Sequence, residues 1–253
     1  MTKPRGVNWL TSLGFVALGA GYLWESMRRS DNPRIPGPTP QELEGLRRSR
    51  RSLGAGPQGA PMVVRDGVRT VKLHPAGSID NRVRFIVDQI RKDSIDKKTI
   101  TEARAIVSGK CRVERGGLDW CVSVKSWTDE LRMLYYAITN PNSPYAVRYT
   151  RDHATVDLFG SSDLMRRLPA EDCDGLAVRL GALCRAIGYA VKCRVVAPAG
   201  QPNQWAHIYI MVGDEPGNPN PQRWLSLDAS EPQHPPFWEV PKRLISTVKD
   251  FDV

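Results

Sequence analysis

The sequence predicts an α+β domain, and three observations carry that expectation. Three stretches with the apolar spacing of amphipathic helices lie between residues 78 and 140. A further one, Glu171 to Tyr189, holds a cysteine at its start. Three short alternating stretches then follow one another before a polar, proline-containing C-terminal extension. A helix that feeds a meander of strands packs its apolar face on a sheet, and 253 residues suffice for one sizeable domain with extensions.

Residues 1–30 contain an apolar run, Val7 to Trp24, of 18 residues without a charge. That is just long enough to span a bilayer. Three readings stay open: a membrane anchor with Trp9, Tyr22 and Trp24 near the interfaces, a helix docked in a larger assembly, or a cleaved secretion signal. Gly14, Gly19 and Gly21 permit close helix packing, which keeps the second alive. Residues 31–78 read as a basic linker, rich in Pro and Gly, whose RRSRR run is a solvated face or a contact with anionic lipid or nucleic acid. Within it, MVVRDGVRTVKL has the alternation of short strands, and Asp66-Gly67 is a hairpin turn signal. Residues 1–72 hold 12 Lys and Arg against 5 Asp and Glu, whereas the rest holds 24 against 22. The charge of this protein therefore belongs to its arm, and the C-terminal portion has no nucleic-acid character of its own.

Residues 79–253 carry the domain. Ile79, Val83, Ile86, Val87 and Ile90 share one helix face. Thr99 with Glu102 is a capping-box pattern opening a second helix, which Gly109 ends. Ser126 to Thr139 reads as a third, with Leu131, Leu134, Tyr135 and Ile138 inward and Asn140-Pro141 as its stop. An extended loop follows, containing Tyr149, Asp152 and Asp157. In the central helix Leu176, Leu180, Leu183 and Ile187 form the apolar ridge and Gly188 stands at the C-terminal cap. YAVKCRVV, AHIYIMV and RWLSLDA are the strands.

This arrangement brings chemistry into view. Cys173 falls in the first helical turn, where unpaired backbone N–H groups and the helix dipole favour a thiolate. His207 shares a strand face with Tyr209 and Met211, and Asp228 shares one with Trp224 and Ser226. If these strands are neighbours packed on the helix, thiol, imidazole and carboxylate form a nucleophile, base and orienting acid. Asp172 and Asp174 flank the thiol, and Trp205 precedes the base by two residues; these three are the expected substrate-pocket residues. A backbone N–H at the helix start is the expected oxyanion donor, with no second donor identifiable.

DCDGLAVRLGALCRAIGY, WAHIYI and WLSLDAS resemble the transglutaminase-like branch of the papain-type cysteine enzymes. The resemblance spans roughly Arg82 to Glu231, and VRYTRDHATVDLFGSSDLMRRLPAEDCDG upstream is most similar to versions carried by bacteriophages and prophages. It implies a papain-like fold, with Cys173, His207 and Asp228 as the triad, and protease, amidase or cross-linking activity on a peptide or protein. Family members often read Gly-Asp-Cys-Asp-Asp, whereas Glu171 and Gly175 hold the outer positions here. Three carboxylates thus crowd the thiol and oppose its ionisation. The apolar run 7–24 offers a membrane contact, the phage-like resemblance implies virion proteins as partners, and the opposing reading is a structural virion or membrane-associated component whose triad is idle.

The remaining groups reduce to packing. Cys184 lies three turns deeper on the helix than Cys173, Cys193 is a strand residue, and Cys111 and Cys121 could bridge in an oxidising compartment. No two Cys or His residues have zinc-ligand spacing and no phosphate-cradling glycine loop occurs, so no metal or cofactor is expected. Because the arm is compositionally separate, removing residues 1–30 is expected to leave the thermal unfolding of the remainder unchanged; loss of cooperative unfolding would place the apolar run in the core.

Overall fold

A computed structural model describes residues 62–63, 68–72, 79–108, 126–150 and 156–253, with backbone alone for 62–63, 68–72 and 156–159. The apolar run 7–24, most of the linker, and Cys111 and Cys121 lie outside these residues. Among the described residues no helix is long and apolar enough to cross a membrane.

The first helix, α1 (Ile79–Ser94), buries Val83, Ile86, Val87 and Ile90, the face its spacing predicts. Asp93 near its end is also buried, because it accepts from Gln89 Nε2 at 2.6 Å and from the Ser162 N–H at 2.6 Å. Helix α2 (Lys97–Val107) starts earlier than the Thr99 signal indicates. Asp96 is its N-cap, accepting from the Thr99 N–H at 3.1 Å. Glu102 is therefore not a capping residue: it receives Arg166 Nε at 3.1 Å and also pairs with Arg179. Helix α3 (Trp127–Thr139) is capped by Ser126 and stopped at Asn140 as expected, burying Leu131, Leu134, Tyr135 and Ile138.

Two small strand pairings surround the next helices. The first joins β1 (Met62–Val63), β2 (Val68–Lys72) and β4 (Val156–Gly160), all antiparallel, so the end of the linker stretch is part of the folded unit. The second pairs β3 (Arg148–Tyr149) with β5 (Ala170–Glu171) in parallel. The short α4 (Ser162–Arg167), capped by Ser161, lies between β4 and β5. Strand β4 and α4 occupy a stretch that reads as loop in the sequence.

Helix α5 (Cys173–Ala186) is the centre of the molecule. Sequence spacing predicts one apolar face, but every residue from Gly175 to Cys184 is buried. Helices α1, α2 and α3 pack on it from several sides, β7 from another. Burying each Leu here contributes about 2 kcal/mol. Arg179 is only 2% exposed, which a guanidinium tolerates because Glu102 faces it. Gly181 lets α1 approach: a Cβ there would stand 3.0 Å from Ile90 Cδ1.

After α5 the chain reverses abruptly. The Gly188 N–H donates to Arg185 O and the Tyr189 N–H to Cys184 O, the paired bonds of a Schellman cap. Gly188 takes φ +97°. The main sheet follows, antiparallel throughout, in the order β8-β7-β6-β9: β6 (Val191–Pro198), β7 (His207–Gly213), β8 (Trp224–Leu227) and β9 (Ile245–Asp252). The C-terminal extension thus supplies a fourth strand, which pairs with β6 on its other edge. In β9 Ile245, Thr247, Lys249 and Phe251 take the half-buried face and the residues between them are exposed.

A Cβ at Gly188 would meet nothing closer than 3.7 Å. Gly188→Ala is therefore expected to lower stability by about 1–2 kcal/mol through backbone conformation alone. Urea denaturation measures this, and an unchanged midpoint would mean the turn is not a stability element.

Candidate functional site

The site is set by the way α5 and the sheet run alongside each other. At about 1.5 Å per residue α5 rises roughly 20 Å. From Val191 to Val196, the partner of His207, β6 covers five steps of about 3.3 Å. The tight cap between them makes these two excursions run back over nearly the same length. The start of α5 and the His207 end of β7 therefore fall at the same end of the domain. Electrostatics agree: after burial, the charge of Asp174 is what pushes the Cys193 thiol on β6 up to about 12.

His207 and Asp228 are brought together directly. His207 Nε2 and Asp228 Oδ2 are 2.6 Å apart, with both side chains almost wholly buried. The second carboxylate oxygen, Oδ1, accepts from the Ser230 N–H at 3.1 Å and from Ser230 Oγ at 2.6 Å. Burial by itself would raise the pKa of Asp228. Attraction to His207 and hydrogen bonds from His207 and Ser230 outweigh it, holding the carboxyl below its ordinary range. Nε2 is engaged by Asp228, and the other ring nitrogen, Nδ1, is buried as well.

Strand alternation determines how the pair is presented. Ile208, Ile210 and Val212 line up with Val195, Cys193 and Val191 and join the core around α5. His207, Tyr209 and Met211 take the other face, where the Tyr209 ring stacks on His207 with centroids 5.7 Å apart. His207 is nonetheless the first residue of its strand, and Asp228 follows the last residue of β8. The pair therefore occupies the rim of the sheet, where both faces end. Burial and then the charge of Asp228 raise the pKa of Tyr135, on core helix α3.

Cys173 is the first residue of α5, half-buried and not disulfide-bonded. Its surroundings differ from the sequence expectation in one respect. The helix-start N–H groups are not all open: Asp172, the N-cap, accepts from the N–H of Asp174 at 3.0 Å and of Gly175 at 3.3 Å. Asp174 Oδ1 in turn accepts from Cys173 Sγ at 3.6 Å. Asp172 thus serves the helix cap and Asp174 the thiol. Trp205, in the loop before β7, is half-buried against the core. Cys184 and Cys193 are sealed, and burial pushes both thiols up. The loop between β7 and β8 lies at the far end, where the Gly217 N–H donates to Gly188 O at 2.8 Å. There it borders an open cleft of about 730 Å³ with Trp224, Lys192 and Arg185, so it does not overhang Cys173.

Two features of the site escaped the sequence. Ser230, two residues beyond Asp228, is a side-chain turn signal that marks a carboxylate partner. Glu171 is buried, and its carboxylate fills the space beside two glycines: a Cβ at Gly160 would collide with it, and one at Gly175 would stand 2.6 Å from Oε2. The unusual pair flanking Asp172-Cys173-Asp174 is thus complementary, with the acid at 171 occupying the volume a side chain at 175 would need.

Asp172, Cys173 and Asp174 also place three ligand-type atoms within 4.8 Å of one another. All three belong to a capped helix start, so their proximity has a structural origin. No protein family, curated protein or solved structure matches the chain.

The packing of Glu171 generates a double-mutant test. Gly175→Ala is expected to cost about 1–3 kcal/mol in the native background and distinctly less when Glu171 is also Ala, a coupling of at least about 0.5 kcal/mol. Additive effects in chemical denaturation would show that the carboxylate moves aside freely.

Proposed function

We propose that residues 79–253 form a transglutaminase-like, papain-type cysteine hydrolase domain that cleaves peptide or amide bonds through a thioester. The observation that carries this reading is the buried His207–Asp228 pair, 2.6 Å apart, at the end of the domain where α5 begins with Cys173. Nδ1 of His207 takes the thiol proton while Asp228 steadies the imidazolium through Nε2. The thiolate attacks the carbonyl carbon and the π pair moves to oxygen. Collapse then expels the amine, which takes its proton from His207. Water, deprotonated by the same ring, attacks the thioester and releases the acid and the thiol. An amine in place of water would give transamidation.

The resemblance of residues 82–231 to phage- and prophage-encoded members favours a cell-wall peptide or a virion protein as substrate. It also favours a virion or membrane-tethered location, with residues 7–24 as the tether and the basic linker against anionic lipid or packaged nucleic acid.

A second reading has its own support: the domain is a structural virion or membrane-associated module with an idle triad. The Asp172 carboxylate occupies helix-start donors that would otherwise favour a thiolate, and Asp174 accepts from the thiol itself. Both oppose ionisation.

Alkylation kinetics separate the two. A thiol of ordinary pKa is only a few per cent ionised at pH 7, so full ionisation is worth roughly 30-fold in rate. Because Cys184 and Cys193 are sealed, glutathione is the fair standard. Cys173 is expected to react with iodoacetamide at pH 7 at least about tenfold faster than glutathione, and His207→Asn to remove that advantage. A Cys173 rate no higher than that of glutathione, or one indifferent to His207→Asn, would establish the idle module.

A further inference from the structure

Acyl transfer at Cys173 would place a negative oxygen at the start of α5, and the donors there are partly taken. The N–H groups of Asp174 and Gly175 already point to Asp172 Oδ1. A second donor for that oxygen would come from another element, and the parallel pairing of β3 with β5 brings a candidate alongside.

In that pairing Tyr149 stands opposite Glu171, and the Thr150 N–H donates to Glu171 O at 2.7 Å. Paired residues on parallel strands project to the same face and successive residues alternate. Asp172 continues the extended backbone of β5, with φ −86° and ψ −165°, so Thr150 and Asp172 share the face opposite to that of Tyr149 and Glu171. The Asp172 side chain reaches the first turn of α5 on that face, the face that Thr150 shares. Thr150 Oγ1 is shielded from solvent and makes no hydrogen bond. A buried hydroxyl without a partner is costly, and such a donor is useful where charge appears only during a reaction.

We propose that the Thr150 hydroxyl is an oxyanion donor, a further catalytic residue for acyl transfer at Cys173. The inference rests on the acyl-transfer reading above. As the thiolate adds to the carbonyl carbon, the C=O π pair moves to oxygen and Thr150 O–H donates to it. When the pair returns and the leaving group departs, the hydroxyl is released unchanged.

Two reagents isolate the step. Iodoacetamide alkylates Cys173 by direct displacement of iodide and forms no oxyanion. p-Nitrophenyl acetate acetylates it through a tetrahedral intermediate, releasing p-nitrophenolate. Both rates are followed on the full chain, with acetylation of the Cys173 peptide read by mass. Thr150→Val is expected to slow acetylation about 100-fold, the effect of removing one oxyanion donor, with alkylation unchanged and Thr150→Ser restoring the rate. Alkylation also reports that the variant folds; should Val not be tolerated, Thr150→Ala is compared with Thr150→Ser in the same way. Unchanged acetylation in the variant would mean the hydroxyl merely holds a water. Equal loss of both rates would mean Thr150 supports the helix start. Either overturns the proposal while leaving the triad in place. Rapid alkylation of the native protein without acetylation would instead remove the acyl-transfer reading, and this inference with it.

Discussion

A buried 14-residue helix and the strand that runs back alongside it, joined by a cap that reverses the chain at Gly188, determine where every functional group in this domain falls. The helix needs burial on all sides, and the elements around it meet that need from different parts of the chain. Helix α1 approaches through Gly181, α2 and α4 surround the buried Arg179 through Glu102 and Arg166, and the main sheet supplies Ile208, Ile210 and Val212. Because the helix is held so completely, its first residue is held as well. Cys173 thereby arrives at the same end of the domain as His207 without any contact needed to place it there.

The polar half of the site is built on a different principle. Asp228 is fully buried and still ionised below its ordinary range, which requires every lone pair to be answered. His207 answers one oxygen and Ser230 the other twice. A carboxylate satisfied in this way cannot swing, so the imidazole it bonds is fixed in tautomer and orientation. The stacked Tyr209 ring covers one face of that imidazole. This is a rigid His–Asp pair at a rim, at the same end of the domain as a thiol whose own surroundings are acidic.

Much of this was legible in the residues. The face of α1, the Ser126 and Asn140 boundaries of α3, the Gly188 reversal and the three strands after it all follow from local periodicity and caps, which are properties of neighbouring residues. Strand β9 and helix α4 were missed for opposite reasons. Strand β9 has alternation but follows a proline-rich stretch that masks it, while α4 is too short for periodicity to register. The start of α2 was misplaced because Asp96 competes with Thr99 for the cap, and the Asp wins by accepting from the Thr99 N–H. Glu102, released from that role, is drawn to Arg166 and Arg179, partners 64 and 77 residues away. Sequence spacing cannot register such a pull.

By itself the sequence determined which residue types were available and on which local elements: a thiol at a helix start, an imidazole at a strand start, a carboxylate at a strand end. These follow from dihedral preferences and apolar period, and act over a few residues. Tertiary structure alone decided that His207 and Asp228 share a hydrogen bond, that Ser230 completes it, and that Glu171 fills the space Gly175 leaves. Each depends on the register of strands or on packing between segments distant in the chain. Such register is chosen by the burial of the whole core rather than by any stretch within it.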